Sequence, residues 1–517
     1  MGQDQAENGH LKLLIIILII AALLRLIFLD KVPNGFFPDE ASYAYDAYSI
    51  LHTLRDQYGK FLPFMFKSAN DYREGLYIYL LIPFIKILGL NVFGIRVASA
   101  FIGTLTVLIV YHLSKECFNK RVGLFSALLL AISPWHIQFS RIGFRAILFP
   151  CLFCLSLLVF VKSIKQLKYL PLSSFLFAIS IFTYQSARVF VPLFLIGLVI
   201  IFYQHLWQNK RYTLISIIVF LCFFVPQLIY YLSPEGMTRA NDVMIAPDFL
   251  TFSNYYFAHF SPDFMFFKGD PNPRHLPQNR GEIYYFDMVT LTIGLIYLIK
   301  EKRKESAIFM LWLLLYPIPA ALTSEIHSLR AMIGAPLMAI ISGYGITKLI
   351  DLFPQKQKII NGIILFVISI SLVFFCHRYF IDYPRWRTDA WLSTMGEVIT
   401  YANNTSAECI IIDSNVYGKH IYILVPFYTK LDPSDYQKLN VDVAINKLDM
   451  GRWKVIDLSK DASLNETCLY IVSTQEFSRL RDRGYHAKSV HHFKDINGEE
   501  LYQLVKVKKI ASTEPSM

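Results

Sequence analysis

The chain has 517 residues, 54% of them hydrophobic and 15% aromatic, with a formal charge of +11 and a positive mean hydropathy. Its apolar residues gather into long runs and its charges into short gaps, which excludes an ordinary soluble domain and reads as a polytopic α-helical membrane protein. The positive charge calls for no nucleic-acid partner, because much of the Lys lies between apolar runs, where it sets orientation.

In chain order, the first run is "LLIIILIIAALLRLIFL" (13–29). It is long enough to span a bilayer and no small-residue cleavage site follows it, so it reads as a retained first helix. Further apolar runs fall near 93–114, 122–140, 147–161, 170–186, 189–203, 213–232, 286–300, 306–322, 331–350 and 359–377, about eleven spans in all. The Lys-rich gaps, among them "KECFNKR", "VKSIKQLK" and "KEKRKES", alternate with the others and are assigned to the cytoplasm together with the N-terminus. "GLYIYLLIPFIKILGL" (75–90) is short, carries Pro83 and Lys86, and would break this alternation if it crossed. It is expected to lie in the outer interface as an amphipathic helix.

The first outer loop then covers about 30–92 with two interfacial helices, and a long outer loop covers about 233–285. The transmembrane domain is assigned to 1–377, and the remaining 378–517 lie outside as a small soluble α/β domain. In it "ECIIIDS", "CLYIVST" and "LYQLVKVKK" read as strands and "TQEFSRLRDRG" as a helix. Cys151 and Cys154 in "CLFC" read as packing residues, whereas Cys409 and Cys468 in the tail could pair.

Basic residues at the outer ends of the spans are mostly Arg: Arg73, Arg141, Arg145, Arg188, Arg274, Arg280 and Arg330. A guanidinium presents a planar fork suited to a phosphate, so the set points to an anionic, membrane-embedded ligand. The plainer alternative is contact with headgroups, or pairing with Asp39, Glu40, Asp71 and Glu74. Arg25, inside the first run, is expected to snorkel outward.

"FFPDEASYAYDAYSI" (36–50) follows the first run and sets two carboxylates side by side. Asp39 is a favoured helix N-cap and Glu40 suits a first turn. Against a purely capping role, Asp39, Tyr43 and Asp46 lie at i, i+4 and i+7, on one helix face, and an Asp beside an Arg stays ionised, as a general base must. His259, His275 and His327 lie in outer loops without paired-ligand spacing, so they read as packing or surface residues. Nucleophile elbows of the G-x-S-x-G type and phosphate loops are absent.

"FFPDEASYAYDAYSI", "NDYREGLYIYL", "AISPWHIQFSRIGFRAIL", "TYQSAR", "GDPNPRHLPQNR" and "HSLRAMIGAPL", taken in order, resemble the bacterial polytopic glycosyltransferases of the protein O-mannosyltransferase and aminoarabinose transferase type, of the GT-C class. The resemblance implies transfer of a sugar, with inversion, from a polyprenyl-phosphate carrier to an extracytoplasmic glycan, lipid or protein at the inner (plasma) membrane. It implies Asp39 as general base with Glu40 its neighbour, and Arg73 as the residue holding the carrier phosphate. Arg141, Arg188 and Arg330 are further phosphate contacts, and Arg274 and His275 are carrier or acceptor contacts.

Two departures from the family pattern stand out. Gly75 replaces a common Pro, which predicts a softer loop, and Arg145 stands where many relatives carry an acid, which favours a phosphate or sugar contact there. The leaving group is a phosphate with one sugar link, so no metal or other cofactor is expected. The rival readings are a transporter or flippase of lipid-linked sugars, which favours inverted repeats and intramembrane charges, and a non-catalytic envelope scaffold.

Overall fold

The structure, a computed structural model, describes residues 2–68, 71–237, 246–275, 280–386, 388–416, 419–439, 447–460 and 464–509. Two units emerge, one made of residues 1–29 and 96–382 and the other of 30–95 and 383–517. By their contacts, residues 30–95 of the first loop group with the tail from residue 383.

In the first unit each long apolar run contains helix. Among the described residues, five stretches are long and apolar enough to cross a bilayer: Gly9–Leu26, Val92–Cys117, Arg145–Lys165, Lys210–Tyr231 and Pro354–Arg385. A sixth results if Lys120–Ile132 and Pro134–Ser140, bent by 60° at the break between them, count as one. The remaining runs are helical but shorter, such as Leu167–Ile181 and Gln185–Ile201.

The bend has a physical cause. Ser133 caps the second segment through the His136 N–H, Pro134 opens it, and the carbonyls that end the first segment lose their helical donors. Inside a membrane such carbonyls need partners. Arg25 supplies them: it is fully buried, and its guanidinium donates to Ala131 O at 2.9 Å, to Leu130 O at 3.2 Å and to His136 Nδ1 at 2.8 Å. The expectation that Arg25 snorkels outward is thus corrected, because the broken helix offers it acceptors in place. Helices Asp287–Glu301 and Gly334–Asp351 approach so closely that a Cβ on Gly345 would meet Thr290 O and one on Gly294 would meet Ile341 O.

The eight strands among the described residues all belong to the second unit. The hairpin β1 (Met65–Ser68) and β2 (Asp71–Glu74) is antiparallel and leads into helix Leu76–Leu88. That helix has 13 residues, about 20 Å at the usual rise and short of a bilayer core, which fits an interfacial element. The six-stranded sheet contains β3 (Ile410–Asp413), β4 (Lys447–Met450), β5 (Trp453–Ile456), β6 (Leu469–Ser473), β7 (Tyr485–Lys494) and β8 (Glu500–Lys509), in the order β4-β5-β3-β6-β8-β7. Strand β3 runs parallel to β5 and β6, and the outer pairs are antiparallel. Ile411, Ile456, Tyr470, Val472 and Val505 form its core with Leu480 from helix Thr474–Asp482. A disulfide joins Cys409 to Cys468.

The first loop packs onto the tail through specific contacts. Phe36 stacks obliquely on Phe427 at 4.5 Å between ring centroids, the Tyr45 hydroxyl donates to Leu431 O at 3.0 Å, and Tyr58 and Tyr422 share a hydroxyl bond of 2.8 Å. Gln437 Nε2 donates to Ser49, Thr53 and the Asp56 carbonyl at 2.9 to 3.0 Å.

Candidate active site

Helix Pro38–Thr53 carries the two adjacent carboxylates. Pro38 occupies its first position, where a fixed φ and a missing N–H cost nothing. Phe37 becomes the N-cap, and its ring, with no acceptor to offer, packs edge-on against Trp391 at 6.3 Å. The helix start is closed by Glu40 instead: its carboxylate, fully buried, turns back to accept the Phe37 N–H at 3.2 Å, the acidic half of a capping box. The N-cap position expected of Asp39 is occupied by Phe37, with Glu40 in the first turn, since the helix begins two residues earlier than an Asp39 cap would require.

Asp39 is left facing elsewhere. Arg73, delivered by β2 opposite Phe66 of β1, donates from Nη2 to Asp39 Oδ1 at 2.9 Å. The Arg73 side chain is 11% accessible and the Asp39 side chain 43%, so the cation is anchored while the carboxylate is open. The guanidinium also lies over the Tyr43 ring at 4.8 Å. Asp46 is buried and held by Gln57 N at 3.0 Å and Gln57 Nε2 at 3.1 Å, and burial with the nearby Asp56 pushes its carboxyl well above the usual range, partly opposed by Arg73. One guanidinium thus acts on all three residues of the i, i+4, i+7 face.

Gly75, just after Arg73, is a packing requirement rather than a soft joint. A Cβ there would lie 2.6 Å from the Phe66 ring and 2.9 Å from Phe64 O, so the hairpin can reach the helix start only over a glycine.

The other residues singled out in the sequence lie in the helical unit, each in its own setting. Arg141 is fully buried and braces the end of the first helix, donating to Leu24 O at 2.9 Å, Ile27 O at 2.8 Å and Phe28 O at 3.2 Å. These bonds make it a brace for the helix end, because those carbonyls need donors. Arg145 is buried, with its guanidinium 5.7 Å from the Tyr184 ring centroid, and Arg188 stacks on Tyr231 at 3.8 Å. Arg330 donates to the hydroxyls of Thr323 and Ser324. Arg274 is half-buried beside Asn272, and its carbonyl accepts from Gln138 Nε2 at 2.5 Å.

His275 is buried and donates from Nδ1 to Asp270 Oδ2 at 2.8 Å, while its ring lies 4.9 Å from that of His327. The two histidines, from loops distant in sequence, thus lie side by side. Burial opposes ionisation of Asp270, yet the His275 bond and charge and the N–H groups of Asn272 and Ser328 hold it at about 2. Glu282, buried beside it and bonded to Ser328 Oγ, is pushed up to about 8 by burial. His327 is held well below the usual imidazole range by burial and by His275. Asp270, Glu282 and Ser328 escaped the sequence reading; "GDPNPRH" and "HSLR" contain the relevant signal, but nothing in their spacing joins the two loops.

Residues 76–230 match the family model described as dolichyl-phosphate-mannose-protein mannosyltransferase. No curated protein sequence matches the chain. Among solved structures, ArnT from Cupriavidus metallidurans bound to undecaprenyl phosphate superposes with a TM-score of 0.62 at 12% identity, over 97% of this chain and 99% of that one. The Archaeoglobus fulgidus oligosaccharyltransferase AglB, in complex with an inhibitory peptide and a dolichol-phosphate, gives 0.52 at 13% identity, over 96% and 74%. The same archaeal enzyme tethered to an acceptor peptide gives 0.51 at 13% identity, with the same coverage. The chain is thus a multi-pass membrane protein with the GT-C fold, and it resembles the glycosyltransferases of the protein O-mannosyltransferase and aminoarabinose transferase type.

Proposed function

We propose that the protein transfers a sugar from a polyprenyl-phosphate carrier to a hydroxyl or amine acceptor outside the cytoplasm. The observation that carries this reading is the Asp39–Arg73 pair, an open carboxylate tied to an anchored guanidinium on the first loop. ArnT bound to undecaprenyl phosphate and AglB bound to dolichol-phosphate share the fold and support a lipid-linked donor. The archaeal oligosaccharyltransferase tethered with an acceptor peptide supports transfer to a separate acceptor.

In the proposed mechanism Asp39 accepts the proton of the acceptor as its oxygen or nitrogen attacks the anomeric carbon from the face opposite the phosphate. The bond from that carbon to the phosphate oxygen breaks with inversion, and the carrier leaves as polyprenyl phosphate. Arg73 meets the charge that grows on the leaving oxygen, and because it is held by Asp39 and Tyr43 in advance it needs little rearrangement. Arg145, Arg188, Arg274 and Arg330 are assigned to the donor's phosphate or sugar, Glu40 supports the helix that aims Asp39, and Arg141 supports the helical unit. The assigned topology puts the N-terminus in the cytoplasm and the sheet-bearing unit outside the plasma membrane.

Purified protein in lipid, incubated with a panel of polyprenyl-phosphate sugars, is expected to release polyprenyl phosphate with at least one donor. No release from folded protein with any donor would sink the donor assignment. The flippase reading draws on the buried Arg25 and the broken helix, but Arg25 is engaged with the carbonyls at that break. Movement of labelled lipid across vesicles without release would favour it.

A further inference from the structure

We propose that Asp270, His275 and His327 form a binding site for a divalent transition-metal ion of the zinc class. The three side chains each offer one ligand atom, and these atoms all lie within 4.8 Å of one another. One carboxylate oxygen and two imidazole nitrogens suit zinc, which takes three protein ligands and leaves a fourth position open. Calcium and magnesium prefer oxygen shells, so the two imidazoles disfavour them.

The cluster is held by an outer shell of the kind that orients metal ligands. Asp270 Oδ1 accepts the Asn272 N–H at 2.8 Å, and Oδ2 accepts the Ser328 N–H at 2.7 Å. Glu282 Oε1 accepts the Asp270 N–H at 3.2 Å and the Ser328 hydroxyl, joining the two loops behind the ligands. The Nδ1 of His327 faces the Arg330 N–H at 3.4 Å, which turns the ring by its far edge. Asp270 and His275 are both nearly inaccessible, so an ion held between them would be shielded from exchange with water.

The plain alternative is a metal-free Asp–His pair, since Asp270 Oδ2 and His275 Nδ1 are 2.8 Å apart. Binding would displace the Nδ1 proton to solvent and open that gap by about 0.5 Å, so that both atoms meet an ion at roughly 2.0–2.2 Å. A side-chain turn of that size is small beside the backbone anchors that remain. The bound ion would clip the 269–275 loop to the 324–330 turn within the helical unit. This inference stands apart from the transferase reading, and its test measures no transfer.

The test uses the full chain in detergent, stripped with a chelator and dialysed against zinc chloride alone. One equivalent of zinc is expected by mass spectrometry, with a rise in melting temperature. His275→Ala and His327→Ala should each bring bound zinc to background and remove the rise, whereas His205→Ala should keep both. Glu282→Gln should weaken binding about 10–100-fold. Should an alanine variant fail to fold, X-ray absorption of the zinc-loaded wild-type protein decides, with two imidazoles and oxygen expected. Background zinc in the wild type, full stoichiometry in the folded histidine variants, or a shell without imidazole would each overturn the proposal.

Discussion

Asp39→Asn separates the chemistry of the first loop from its architecture. The substitution keeps the size of the side chain and an oxygen that can still accept from Arg73 at the present 2.9 Å. What it removes is one negative charge on a side chain that is 43% accessible. An ion pair that exposed contributes about 0–1 kcal/mol, and a first-turn acid about 0.3–1 kcal/mol through the helix dipole. The expected loss of stability is therefore about 1 kcal/mol, a shift in melting temperature of roughly 2 °C or less in a chain of this size. Loss of a general base costs about 10²–10⁴-fold in turnover. Release of polyprenyl phosphate should fall by that factor in kcat, with the donor KM unchanged, because Arg73 remains in place. Full turnover in the variant would return Asp39 to a structural role. A loss of activity matched by a large fall in melting temperature would refute the separation itself.

Glu40→Ala deletes the acceptor of the buried Phe37 N–H and should cost about 1–3 kcal/mol, read as a lower melting temperature, whereas Glu40→Gln, which keeps an oxygen, should stay near wild type. Gly75→Pro restores the commoner family residue yet sets a Cβ against Phe66, so it should destabilise by about 1–3 kcal/mol and lower the yield of folded protein. For Glu282 the folded group holds its proton to about pH 8, while the unfolded one releases it near the ordinary 4.5. Between those values the unfolded state binds fewer protons, so stability falls as pH rises from about 4.5 to about 8. Glu282→Gln should flatten that slope in melts taken across the window, and an unchanged slope would assign it to other groups.

The helices were legible because apolar length is a local property, and β3, β6 and β8 because each contains a run of aliphatic residues. Strand β7, "YHAKSVHHFK", was not, since its exposed face is rich in His and Lys and leaves no apolar run. That residues 30–95 join 383–517 could not be read either, as contacts such as Gln437 to Ser49 leave no trace in local sequence. The Asp39–Arg73 pair was half legible: the helix face was visible, but its start was misjudged by two residues because an Asp outranks a Phe as a cap by propensity. The Asp270–His275–His327 cluster was missed because its ligands come from two loops far apart in the chain.

The disulfide between Cys409 and Cys468 gives the sheet-bearing unit an order of assembly. It clamps the two chain segments that enter the parallel strands β3 and β6, and closing a loop of 59 residues is worth about 4 kcal/mol in the chain-entropy model. Such bonds form where thiols are oxidised, so under the proposed topology this one closes once the second cysteine lies outside the membrane. With that topology the bond would record a crossing, and its presence on a non-reducing gel of intact cells would be a timestamp for delivery of the tail. Cells short of thiol oxidant should accumulate a protease-sensitive form in which the helices are inserted and the sheet is not yet locked.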